Sequence, residues 1–191
     1  MAKDYTSLLI DASHYAEKNG FTCFFKDFLH NVEVKINREL RLQEMEKKSD
    51  LNLVDGSVVL PDDYIEIRFL HDAQGNKLDH LPLSISLKKK KGYIITADSI
   101  CVLPVSSENI CLYYYGCIPP LTEDNPANWL LHKAPDLYVY GLVEEIALWE
   151  KNIDKATTAS ALFQDIIKKL QRNDIRLRWV DTTISRGGLT P

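Results

Sequence analysis

Between Tyr113 and Trp149 the chain reads YYYGCIPPLTEDNPANWLLHKAPDLYVYGLVEEIALW. An aromatic strand passes through a Pro-Pro turn into two helices, and the second helix is apolar on nearly every side. A helix of that kind has to be covered all round, by its own chain or by neighbouring copies. The stretch holds no recognisable catalytic grouping. It therefore points to an assembly protein before it points to an enzyme.

Composition narrows the classes further. With 191 residues there is room for one domain, or one domain carrying an insertion. A chain of this size buries about 70% of its unfolded surface and needs neither disulfide nor metal to stay folded. The net charge of −4 argues against tight, general binding to nucleic-acid phosphates, which takes a clustered positive surface. It suits a surface that DNA slides past. The four cysteines, Cys23, Cys101, Cys111 and Cys117, form no CxxC pair and read as buried reduced thiols. The opening MAKDYTSLLIDASHYAEK is too polar for a signal peptide, and no run reaches about 18 apolar residues. The expectation is assembly in a reducing cytoplasm, away from membranes.

Periodicity divides the chain into helices, strands and helices again. Thr6 or Ser7 is expected to cap a first helix through Leu8, Leu9, Ala12, Tyr15 and Ala16, closed by Asn19-Gly20. A long second helix carries the stripe Phe21, Phe25, Phe28, Leu29, Val32, Ile36 and Leu40. From Gln43 to Cys117 the period shortens. Asp55-Gly56 is a strong two-residue hairpin turn, Gln74-Gly75-Asn76 a second turn, and Asp98-Ser99 the tip of a third hairpin. Ile110 to Cys117 reads as a strand apolar on both faces, hence central or sandwiched. Helices return with Asn125-Pro126 and Pro135 as start signals and Asp154 as the cap of the last helix, whose stripe is Ala159, Leu162, Phe163, Ile166, Ile167 and Leu170. After Asn173 the pattern stops, and 174–191 reads as an extended docking tail.

The fold class read from this order is α+β. A helical bundle is built from N- and C-terminal halves (1–42 and 119–173), with an antiparallel β unit (43–118) inserted between them and an extended C-terminal tail.

Candidate chemistry is sparse. The histidines His14, His30, His71, His80 and His132 show neither HExxH nor an i,i+4 pair, so no metal or cofactor is expected. There is no GxSxG and no phosphate-cradling glycine loop. Glu144-Glu145 sit as neighbours on one helix and face different directions, so pairing with Lys or Arg is expected of them rather than acid–base work. Lys88, Lys89, Lys90 and Lys91 form one charged loop, either solvated or offered to an acidic partner. Tyr113, Tyr114 and Tyr115 carry no interleaved basic residue, which favours packing over base stacking. Tyr113, Tyr115, Trp129, Leu137, Tyr140, Ile146 and Trp149 are assigned to core or subunit packing. In the tail, Arg176, Arg178, Trp179 and Arg186 supply the Arg and Trp that dominate interface hot spots, and Ile184 joins them in the docking assignment.

Two groups of residues carry a resemblance. The first is Ile36-Asn37-Arg38-Glu39-Leu40-Arg41 closing a long helix, followed by a strand pair and Leu60-Pro61-Asp62-Asp63-Tyr64. The second is Tyr114-Tyr115-Gly116, Ile118-Pro119, Asn128-Trp129-Leu130-Leu131, Pro135-Asp136-Leu137-Tyr138 and Tyr140-Gly141. Together they resemble the head-to-tail adaptors (connector, or tail tubular A type) of short-tailed phages. The resemblance implies a non-enzymatic virion protein at the head–tail junction. It implies a homo-oligomeric ring of twelve copies between the portal protein and the tail nozzle protein, with DNA passing transiently down its channel. It also implies a terminal extension gripping the portal, a role assigned to the Trp179 tail by position alone. Two alternatives stand beside it: a small cytosolic enzyme using His71 or His80 with Asp79, and a nucleic-acid binder using Lys88 to Lys91.

Overall fold

A computed structural model describes residues 3–18, 20–83, 91–105 and 108–186, with the backbone alone from Trp179 to Arg186. The fold is α+β, with helices at both ends of the chain. It divides into two compact units, Met1–Gln43 with Ile118–Pro191, and Glu44–Cys117.

The helical unit contains α1 (Tyr5–Ser13), α2 (Phe25–Glu39), α3 (Trp129–Lys133), α4 (Pro135–Glu150) and α5 (Ile153–Arg186). Helix α1 is capped by Asp4, not by Thr6 or Ser7. The Asp4 carboxylate accepts the Ser7 N–H and the Ser7 hydroxyl answers on the Asp4 N–H, a reciprocal capping box. Ser13 ends this helix ahead of Asn19-Gly20. Gly20 instead opens a short 3-10 turn, Phe21–Phe24, from a left-handed conformation (φ 98°). Helix α2 buries Phe25, Phe28, Leu29, Val32 and Ile36 of the expected stripe, while Phe21 and Leu40, also buried, fall in the preceding 3-10 turn and at the C-cap.

Helix α4 starts at Pro135, where a missing N–H costs nothing. It buries Leu137, Tyr138, Val139, Gly141, Leu142, Val143, Ile146, Ala147 and Glu150. The cover comes from its own chain, because α5, α2, α1 and α3 all pack against it. Ring neighbours are not needed to explain its all-round apolar character. Asn152 caps α5 by accepting the Lys155 N–H at 3.2 Å, in place of Asp154. That helix does not stop at Asn173. It runs unbroken to Arg186, so the segment after Asp174 is helical rather than extended as far as it is described.

Among the described residues the β unit holds two antiparallel sheets. One contains β1 (Glu46–Asn52), β7 (Asn109–Gly116), β3 (Tyr64–His71) and β4 (Lys77–Leu78), in that order. The other contains β2 (Ser57–Val59), β6 (Ser99–Leu103) and β5 (Gly92–Ile95). Asp55 and Gly56 both take positive φ (51° and 75°), as a two-residue turn with this sequence requires. The strands either side of the turn then part company, β1 pairing with β7 and β2 with β6. Between the sheets lie Leu70, Leu78, Ile110, Leu112 and Tyr114 from the first and Tyr93, Ile100 and Val102 from the second. Strand β7 is central in its sheet, but its faces differ. Ile110, Leu112 and Tyr114 are buried, while Cys111, Tyr113 and Tyr115 are half-buried on the other side.

Candidate assembly surfaces

The residues that carry the sequence motifs act as fasteners inside each unit. Asn37, near the end of α2, accepts the Ile118 N–H at 3.0 Å on Oδ1, fixing the point where the helical unit resumes. Asn128 caps α3 by accepting the Leu131 N–H at 2.8 Å, the role expected of Asn125. Its amide also donates to the Pro119 carbonyl at 2.8 Å and the Tyr138 hydroxyl at 3.0 Å. Asn125 closes a turn with Thr122 instead. Gly141 lets α4 approach α2 closely, since a Cβ there would lie 2.6 Å from Val32 Cγ1.

In the β unit, Asp63 accepts the Tyr114 hydroxyl at 3.0 Å and is bonded by the Lys47 ammonium, and its backbone carbonyl takes the Cys117 N–H at 2.7 Å. Burial works against the Asp63 carboxylate, but the Lys47 and Tyr114 bonds hold its pKa below the usual value. Burial and the Asp63 bond push Tyr114 up to about 12. Gly116 leaves room for this clasp, because a Cβ there would meet Asp63 Oδ2 at 2.7 Å.

The middle of α5 is tied to the end of α2. Gln171 donates to the Glu39 carbonyl at 2.9 Å, satisfying an acceptor that the helix terminus leaves open. Gln164 donates to both Glu39 carboxylate oxygens at 3.0 and 2.9 Å. Asp174, 7% exposed, accepts the Gln43 N–H at 2.8 Å on one oxygen and Arg178 Nε at 2.6 Å on the other. The residues after Asn173 thus have something of their own to fold against. Beyond this latch Ile175, Arg176 and Leu177 are exposed, the two apolar ones by more than half. Trp179, Ile184 and Arg186 belong to the same helix, and their side chains lie outside the described residues.

The packing assignments split. Leu137 and Ile146 are fully buried, whereas Trp129, Tyr140 and Trp149 are half-buried, with Trp149 5.8 Å from the ring of Phe24. Glu144 and Glu145 pair with Lys35 of α2, at 3.3 and 2.6 Å. Leu148 and Ile153 flank an open groove of about 350 Å³ between α4 and α5, floored by small residues such as Ala156 and Ser160.

On the sheet face away from the β core, Tyr113 lies 4.6 Å from Phe69 and 5.4 Å from His71. The Arg68 guanidinium lies over Tyr115 at 5.5 Å, and Lys48 over Tyr113 at 6.0 Å. The tyrosine run lacks interleaved cations along its own strand; neighbouring strands supply them. His80 sits 5.4 Å from Tyr93 rather than beside His71's cluster. The Lys88, Lys89 and Lys90 part of the charged loop lies outside the described residues, and Lys91 is paired with Asp72 at 2.5 Å. The thiols are less covered than expected. Cys23 is exposed and Cys101, Cys111 and Cys117 are half-buried, all unbridged.

Three carboxylates with structural partners stand outside the residues expected from the sequence. Besides Asp174, Glu150 takes the Glu17 and Lys18 N–H groups at 2.6 and 2.9 Å. Glu33 lines a cavity of about 210 Å³ with Tyr5, Lys26, Leu29, His30, Pro120, Leu121, Thr122 and Glu123. It accepts the Leu121 N–H at 2.7 Å, and burial, only partly offset by that bond, pushes its pKa up to about 7. A signal for Glu33 was present, since it stands four residues after Leu29 and three before Ile36, beside the buried stripe.

A family model described as SU10 adaptor protein matches residues 3–186. A search of curated proteins finds no match.

Proposed function

Because the chain belongs to the SU10 adaptor protein family, a family of phage adaptors, we propose that it is the head-to-tail adaptor of a virion of the short-tailed type. In this reading twelve copies form a ring that joins the capsid portal to the tail nozzle and surrounds the DNA path, without catalysis. The observation that carries it is the use made of the motif residues. Asn37, Asp63, Gly116, Asn128 and Gly141 are all spent on internal fastening, which supports a structural role for the motif. A ring also needs two different surfaces on each subunit. The helical unit offers the α4/α5 groove and the half-buried Trp129, Tyr140 and Trp149 for neighbours. The end of α5, with Ile175, Arg176 and Leu177 exposed beyond the Asp174 latch, is assigned to the portal as a helix laid into a groove.

Electron microscopy of the protein mixed with its portal tests the reading. A closed ring beneath the portal is expected, and persistent monomers that leave the portal bare would refute it. Truncation after Asn173 tests the docking assignment. The shortened chain, which also gives up the Asp174 latch on Gln43, is expected to keep its helical fold at lower stability and lose the portal; normal docking would show that another surface does the work.

A further inference from the structure

We propose that the Glu33 cavity is a socket for the Arg172 side chain of a neighbouring copy, making a charged, directional contact between the helical units of adjacent subunits. The inference rests on the ring reading and deepens it by naming two complementary surfaces.

The socket side sets the half-buried Glu33 carboxylate among apolar walls, with Lys26 and His30 also in its lining. Among the described residues Glu33 accepts one protein hydrogen bond, from the Leu121 N–H. Leu29, Pro120, Leu121 and Tyr5 form walls that suit the methylene stem of an arginine. At the rim Glu123 pairs with Lys26 at 3.0 Å, both side chains being largely exposed, and Asp124 follows it in the same loop. A desolvated carboxylate with a single neutral donor gains most from a cation that brings its own N–H groups, and a guanidinium is the side chain built for that.

The plug side is on α5. Lys168 and Arg172 are exposed, one turn apart and about 6 Å along the axis, and no carboxylate bonds either of them among the described residues. Helix α5 carries seven Lys and Arg against four Asp, so the remainder of a chain of net charge −4 stands at −7. Cations on α5 and carboxylates elsewhere are what a contact between unlike faces of identical subunits needs. DNA fits the ridge less well. The acidic remainder would repel it, and two or three cations give little affinity for phosphate.

A pH response follows. Glu33 must be ionised to hold the guanidinium, and its pKa in the free protein is about 7. The groups facing it are Tyr5 from α1, Lys26 and His30 from α2, Glu123 from the loop, and Tyr138 from α4. His30 lines the same cavity beside Glu33, so a variant has to separate the two.

The test follows self-association of the full-length chain by sedimentation velocity between pH 6 and pH 8, with and without the portal. The wild type is expected to associate about tenfold more tightly at pH 8 than at pH 6, the change in the ionised fraction of one carboxylate. Arg172→Glu, on an exposed helix face that leaves the fold intact, is expected to weaken association at pH 8 by tenfold or more. Glu33→Gln is expected to weaken it and flatten the pH dependence, while His30→Gln keeps the slope. If association occurs but Arg172→Glu and Glu33→Gln match the wild type, or if His30→Gln removes the slope, the socket is wrong and the ring stands. If Arg172→Glu changes DNA affinity alone, the ridge serves DNA and the socket is wrong. If the wild type never associates, even with the portal, the ring reading fails and takes the socket with it.

Discussion

Replacing Gly141 with alanine sets two opposed effects against each other, and the structure decides the sign. In an exposed helix Gly→Ala stabilises by about 1 kcal/mol, because alanine loses less backbone freedom. Here the new methyl would lie 2.6 and 3.0 Å from the two Val32 methyls and 3.3 Å from Phe163 Cε2. Ordinary carbon contacts begin about 1 Å further out than the shortest of these. Val32 cannot rotate away, since a β-branched residue in a helix has one strongly preferred rotamer and this one is fully buried. Phe163, 1% exposed, is equally confined. Overpacking of this kind costs about 1–3 kcal/mol, and the closeness of the clash argues for the upper end. After subtracting the propensity gain, Gly141→Ala is expected to destabilise the helical unit by about 2 kcal/mol.

The assay is urea unfolding followed by helical circular dichroism, completed as a double-mutant cycle. Val32→Ala alone is expected to cost about 2 kcal/mol through the cavity it leaves. In the double variant the added methyl occupies part of that cavity, so the two costs should fall short of additivity by at least about 1 kcal/mol. A stabilised Gly141→Ala protein, or strictly additive costs, would refute the argument that the glycine is there for helix approach.

Two further expectations concern carboxylates. Asp174→Ala removes the acceptor for the Gln43 N–H and is expected to cost about 1–3 kcal/mol, with much faster hydrogen exchange at the Gln43 amide. Asp174→Asn keeps an acceptor and should preserve most of that protection; equal exchange in the two variants would count against the latch. For Glu33 the folded pKa, about 7, lies above the ordinary value of 4.5, so the folded state holds the proton more tightly. Its contribution to stability is therefore fully present below about pH 4.5 and is lost as pH rises through about 7. Allowing for partial solvent access, wild type and Glu33→Gln should diverge by about 1–2 kcal/mol over that window. Parallel stability curves from pH 4.5 to 7 would show that Glu33 is better solvated than its cavity implies.

What the sequence determined by itself was local. Asp55-Gly56 could form only a tight turn with positive φ at both residues. Pro135 could begin a helix but not continue one, and the stripe from Phe25 to Ile36 had one face to bury. These follow from dihedral limits and periodicity, and together they made the α+β class legible. The helix caps were less so, because Asp4 competes with Thr6 and Ser7, Asn128 with Asn125, and Asn152 with Asp154. Any of these side chains can cap, and the choice falls to distant partners. At α1 the Tyr5 N–H is already bonded to the Pro126 carbonyl at 2.7 Å, which fixes where the helix begins.

Only the tertiary structure decided what covers α4, where the helical unit holds Gln43, and that α5 continues past Asn173. The apolar periodicity of α5 ends near Leu170. A helix needs no stripe of its own, however, where Asp174 binds both Gln43 and Arg178. The same holds for the tyrosines of β7, whose cationic neighbours come from β1 and β3 through pairing register. In each case the deciding contact joins residues far apart along the chain or on different strands, where no periodicity within one element can record it.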